Sequence, residues 1–178
     1  PEDALDHVLQ NLYRKFFAET HDLALDPGKD LRTQLDQVDQ RIESDLDIYG
    51  SELSPSDSPA AYATICLLDA FSIAETSDEL KEQLVDYFAD GLPSIDRFTT
   101  PTEVAEFLVG IAQVESGQEV LDPASGLGNL SRQLAARDTD VTAVELNTRV
   151  ANFAAFLNYF LDFEIDIINT DLLTLYPE

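Results

Sequence analysis

Asp122, Gly126, Gly128, Glu145 and Asp171 are the residues whose types and spacing could do chemistry. Asp122 ends a short apolar run, Val120-Leu121-Asp122, and the small-residue turn Pro123-Ala124-Ser125-Gly126-Leu127-Gly128 then leads into an amphipathic segment carrying Leu130 and Leu134. Strand, glycine loop and helix in that order make a nucleotide site. The glycines let backbone N–H groups come close to a ligand, and the start of the helix adds its positive end.

The acid at the strand tip selects among ligand classes, because a carboxylate facing a pyrophosphate across a dry loop would repel it. The dinucleotide fingerprint would also need a third glycine where this chain has Ser131. No Gly-Lys-Ser/Thr is present, which excludes a phosphate-gripping P-loop. A ligand with a cationic amino-acid end and an adenosine end fits better, and S-adenosylmethionine is such a ligand.

The elements that must position these acids follow from the pattern after the loop. Val141–Glu145 reads as a buried strand tipped by Glu145, and Asn147 as the cap of a helix bearing Val150, Phe153, Phe156, Leu157 and Phe160. Glu164–Asn169 reads as a third strand just before Asp171. Alternating strands and helices imply a parallel sheet with right-handed crossovers, so Asp122, Glu145 and Asp171 should share the ligand-binding edge. An acid just past the second strand commonly takes both ribose hydroxyls, and Glu145 has that place. The competing reading is that these are ordinary surface acids in a protein full of them. A doubly wound order 3-2-1-4-5 would leave the strand Val120–Asp122 open on one side and prone to self-association.

Upstream, Thr100 is expected to cap a helix with Pro101 at its first position and Glu103 completing a capping box; Val104, Phe107, Leu108 and Ile111 form its apolar face. Residues 1–93 read as a helical domain. Its helices are expected over Ala4–Phe17, along the seam Leu31, Leu35, Val38, Ile42 and Leu46, through Ala60–Ala74 as a helix buried nearly all round, and after a Ser77 cap. A Ser/Pro-rich break runs from Gly50 to Pro59. His7 and His21 are isolated, so neither metal binding nor catalysis is assigned to this half. Cys66 sits in an apolar run, reads as a small buried hydrophobe and can form no internal disulfide, which suits a reducing, cytoplasmic setting. No run of 18 or more apolar residues is present, and no membrane association is expected.

Charge is the unusual feature: 35 acidic against 10 basic residues, a net charge of −25. The acids are spread between regularly spaced apolar residues, as in a folded chain rather than a disordered tail. Self-repulsion on this scale is screened when the Debye length falls to about 3 Å at molar salt, which points to a halophilic, high-salt cytoplasm. The thermal midpoint is therefore expected to rise strongly between ~0.1 M and ~2 M KCl. A midpoint indifferent to salt would contradict that origin of the charge. The same charge repels phosphate, which argues against nucleic-acid binding by these residues on their own.

Phe98-Thr99-Thr100-Pro101, Asp122-Pro-Ala-Ser-Gly-Leu-Gly-Asn-Leu130, Val144-Glu-Leu-Asn147 and Thr170-Asp-Leu172, in this order, resemble the amino-methylating DNA methyltransferases. Within that group the chain is most similar to modification subunits of type I restriction-modification systems and related N6-adenine methylases. The resemblance implies that Phe98, Thr99, Thr100 and Pro101 wall the methionine end, that Asp122 and the Gly126 and Gly128 backbone hold the amino-acid portion, that Glu145 takes the ribose, and that Asp171 bonds the adenine amino group. Pro123, Ala124, Ser125, Asn129, Leu130, Leu146 and Leu172 join them as cofactor-binding residues. Leu127 and Asn129 stand where the family usually shows Thr and Gly, and Asp96 where a glycine often precedes the aromatic motif. The family's catalytic Asn/Asp/Ser-Pro-Pro-Tyr/Phe is absent, so the chain reads as an N-terminal fragment with no catalytic residue of its own.

The expectation is thus an α/β protein: a helical domain over residues 1–93, then, over 94–178, a truncated parallel sheet forming part of a Rossmann-like S-adenosylmethionine-dependent methyltransferase domain. The implied partners are DNA in the full-length complex, a specificity subunit and a second modification subunit. Methyltransferases acting on RNA bases or protein glutamine, and a non-catalytic assembly module, remain open alternatives.

Overall fold

The computed structural model describes residues 2–45, 59–91 and 99–175. The chain divides into two compact units, Pro1–Leu92 and Pro93–Glu178.

The first unit holds helices α1 (Glu2–Thr20), α2 (Leu31–Asp45), α3 (Pro59–Leu68) and α4 (Asp78–Gly91). Helical spacing places Leu12, Phe16 and Phe17 of α1 and Leu31, Leu35, Val38 and Ile42 of α2 in the core. Arg14 is buried among them and would be costly unpaired. Its guanidinium donates to both oxygens of Asp39, at 2.7 and 2.8 Å, and to Asn11 Oδ1 at 3.1 Å.

Three expectations for the α3 segment are overturned. The helix stops at Leu68 instead of running to Ala74, because the N–H groups of Ile73 and Ala74 are taken at 2.7 and 2.8 Å by the Glu19 carboxylate on α1. Only one face of this segment is buried, through Ala61, Ile65 and Ile73, while Tyr62, Leu67 and Phe71 are exposed. Cys66 is an exposed free thiol on the outer face, not a core hydrophobe. Leu80 N–H donates to Ser77 Oγ at 3.4 Å, so Ser77 caps α4. The Ser/Pro-rich break lies largely outside the described residues.

In the second unit α5 (Thr102–Ala112) precedes β1 (Glu119–Asp122), α6 (Asn129–Ala135), β2 (Asp140–Glu145), α7 (Thr148–Phe160), β3 (Asp166–Asn169) and α8 (Leu172–Leu175). The strands form a parallel sheet in the order β1-β2-β3. Asp122 pairs with Ala143, and Glu145 with Asn169, so the C-terminal ends of all three strands lie along one edge. Val109, Leu134 and Val141 make the centre of one layer, with Val120, Leu130 and Ile165 packed on it. Val144 of β2 and Val150, Ala154 and Phe160 of α7 are also buried. The unit is α/β with a parallel sheet.

The capping box does not form. α5 begins at Thr102, Pro101 is its half-turn residue with ψ 143°, and no side chain caps it. The Thr100 carbonyl is instead held at 2.6 Å by the side-chain amide of Asn129, which draws the segment toward the glycine loop. Of the helix's apolar residues Ala105 and Val109 are buried, whereas Val104, Phe107, Leu108 and Ile111 are exposed. No helix among the described residues is long and apolar enough to cross a membrane.

Candidate cofactor site

The loop after β1 turns on two glycines in the left-handed region, Gly126 at φ 56° and Gly128 at φ 81°. A Cβ on Gly128 would meet the Arg132 guanidinium at 3.2 Å and Asn158 Oδ1 at 3.5 Å, so both conformation and space demand glycine there. Arg132 lies beneath the loop and donates to the Leu127 carbonyl at 2.8 Å and to Asn158 Oδ1 at 3.2 Å. The Ser125 N–H donates to Val144 O at 2.9 Å and pins the loop to β2.

Glu145 is the joint of the site. Its side chain is buried, with Oε2 accepting the Gly126 N–H at 3.0 Å and Oε1 the Asn147 N–H at 2.7 Å. A carboxylate has about four acceptor positions, so each oxygen keeps one for a ligand after binding the backbone. Asn147 then caps α7, its Oδ1 accepting the N–H groups of Arg149 and Val150 at 3.0 and 3.3 Å. The strand end, the glycine loop and the next helix start are thereby tied to one side chain.

A cavity of ≈ 450 Å³ opens along this edge of the sheet. Thr99, Thr100, Pro123, Ala124 and Gly126 line it beside β1, Glu145 and Leu146 beyond β2, and Thr170, Asp171 and Leu172 beyond β3. Asp171 is exposed to it, and its Oδ1 also accepts the Leu173 N–H at 3.0 Å.

Not every expected residue reaches the cavity. Asp122 is buried beneath the loop, where its Oδ2 accepts the Ser131 hydroxyl at 2.6 Å, and it is not among the lining residues. Ser125 and Gly128 are buried in the loop, Leu130 packs into the core, and Asn129 is engaged with Thr100. Phe98 lies outside the described residues. Thr170 lines the cavity although sequence reasoning gave it no role, and its place just past β3 was the available signal. Arg132 and Asn158 were missed as well; a buried cation under the loop has no local sequence mark.

The lining suits S-adenosylmethionine. Thr99 Oγ1 is buried with no hydrogen-bond partner among the described residues, and so is Ser125 Oγ within the loop. A buried hydroxyl without a partner is costly, and a polar ligand would satisfy the one that lines the cavity. Glu145 can accept a diol, and Leu146 and Leu172 offer apolar sides for a base near Asp171.

Comparison with curated proteins gives no match. A family model described as ribosomal RNA adenine dimethylase matches residues 96–177. Among solved structures, the chain is similar to the type I restriction-modification system methyltransferase subunit from Streptococcus thermophilus, with 22% identity and a TM-score of 0.58 over 80% of this chain and 37% of that one. A second structure, described as a class I S-adenosylmethionine-dependent methyltransferase from Listeria monocytogenes, is 14% identical over 97% of this chain and 55% of that one, with a TM-score of 0.48. The chain thus spans well under two thirds of the length of either protein. Its fold is that of an α/β methyltransferase, and the cofactor that goes with it is S-adenosylmethionine.

Proposed function

We propose that this chain is the cofactor-binding portion of an S-adenosylmethionine-dependent N6-adenine DNA methyltransferase, the modification subunit of a restriction-modification system. The observation that carries the reading is the order of groups around one cavity: a glycine loop at β1, a diol acceptor at β2 and a second acid at β3. S-adenosylmethionine supplies an electrophilic methyl group on its sulfonium. The chain's own residues orient it. Glu145 accepts the ribose hydroxyls, Asp171 accepts the adenine amino group, and Thr99 and Thr100 wall the methionine end. Asp122 acts from below by fixing Ser131 and the start of α6.

The likeness in fold to a type I modification subunit supports the DNA reading. On this reading DNA is engaged by the full-length complex, and the specificity subunit and a second modification subunit supply the cations this chain lacks. The match to ribosomal RNA adenine dimethylase favours a second reading, an RNA adenine as the target. Both readings place the same cofactor in the same cavity. In ~2 M KCl, S-adenosylhomocysteine is expected to shift the amide resonances of Gly126, Glu145, Leu146 and Asp171. Shifts confined to residues 2–45 would contradict this placement.

A further inference from the structure

We infer that Asn129 is a positioning residue that ties the glycine loop to the wall of the cavity and so selects for ligands carrying an amino-acid end. The inference rests on the cofactor reading above. Asn129 is the first residue of α6, directly after Gly128, and its Nδ2 donates to Thr100 O at 2.6 Å and to Thr102 Oγ1 at 3.4 Å. The stronger of these bonds joins residues 29 apart in sequence.

The wall needs such a tether. Thr99, Thr100 and Pro101 belong to neither helix nor strand, and α5 starts after them with no side-chain cap. Pro101 has no N–H to contribute. Thr99 and Thr100 nevertheless line the cavity beside Gly126. The Asn129 amide on the Thr100 carbonyl therefore fixes the peptide between Thr100, which lines the cavity, and Pro101, whose own carbonyl accepts the Val104 and Ala105 N–H groups at the start of α5. Glycine or alanine at this position has no donor to offer, and aspartate would set a carboxylate against the carbonyl oxygen.

A neutral hydrogen bond of this kind contributes modestly to folding, and its loss before a ligand is bound leaves the wall to be ordered at the ligand's expense. That cost falls only on ligands that touch the wall. Asn129→Ala suits the test because alanine is the strongest helix former and leaves α6 intact.

Titrations of the whole chain in molar KCl would compare S-adenosylhomocysteine with 5′-methylthioadenosine, which lacks the amino-acid portion. The expected result is that Asn129→Ala weakens S-adenosylhomocysteine by about tenfold and leaves 5′-methylthioadenosine within about twofold of the unmodified chain. Asn129→Gly should show the same selectivity. Equal losses for both ligands would mean a merely structural role, and no loss would mean no role; either overturns the inference. Failure of the unmodified chain to bind either ligand would instead overturn the cofactor reading, and the inference with it.

Discussion

Residues 1–178, incubated with tritiated S-adenosylmethionine and unmethylated DNA in molar KCl, are expected to transfer no label above a blank without protein. An exocyclic adenine amine is a poor nucleophile because its lone pair is delocalised into the ring. In-line attack on a sulfonium methyl needs acceptors that hold the amine protons and an aromatic face that holds the extruded base. In the resembling methylases a Pro-Pro-aromatic motif provides both. Here the eight prolines are never adjacent, and Tyr176-Pro177 runs in the opposite order. The acids of the cavity do not replace the motif. On the cofactor reading Glu145 is committed to the ribose hydroxyls and Asp171, at the tip of β3, to the cofactor's adenine, and neither acid brings an aromatic face. Incorporation by the 178 residues alone would refute the cofactor-binding role as their whole contribution. Incorporation only by a longer polypeptide that includes a Pro-Pro-aromatic motif would locate the chemistry outside them, and offering that polypeptide DNA or RNA would separate the two substrate readings.

Much of the second unit is legible in the sequence because its signals are local. β2, expected over Val141–Glu145 and found over Asp140–Glu145, is a run of apolar residues bounded by polar ones. Asn147 is an ordinary helix cap, and glycine is required at Gly128 by the backbone itself. The alternation of elements then brings the acids to one edge without further information.

What was not legible depends on partners distant in the chain. The capping box at Thr100 is absent because the helix starts one residue later, with Pro101 in the cap position, and the Thr100 carbonyl is held by Asn129, 29 residues away. Asp122 has the right position on its strand, yet a hydroxyl nine residues on takes its carboxylate beneath the loop. α3 ends early because Glu19, over 50 residues upstream, supplies the acceptor for two N–H groups that a continuing helix would have satisfied internally. Helical periodicity cannot report such competitors, since each is a single side chain reaching in from another element.

The second large effect concerns Glu145. Removing its carboxylate takes away the diol acceptor and strands the N–H groups of Gly126 and Asn147, which it now satisfies at 3.0 and 2.7 Å. Charge-assisted hydrogen bonds in a buried site are worth about 1–3 kcal/mol, so Glu145→Ala is expected to weaken the cofactor roughly 5- to 150-fold. Glu145→Gln keeps one acceptor and nearly the same volume, and should fall between the two. Its thermal midpoint would show whether the loop still folds.

On the reading proposed above, the cavity at the strand tips is an S-adenosylmethionine site organised by Glu145. Isothermal titration of S-adenosylhomocysteine into the unmodified chain and Glu145→Ala in molar KCl, with NAD as control, tests it most directly. Saturable binding by the unmodified chain, the loss just given for Glu145→Ala, and no heat with NAD are expected. Equal binding by both proteins, or binding of NAD in place of S-adenosylhomocysteine, would contradict it.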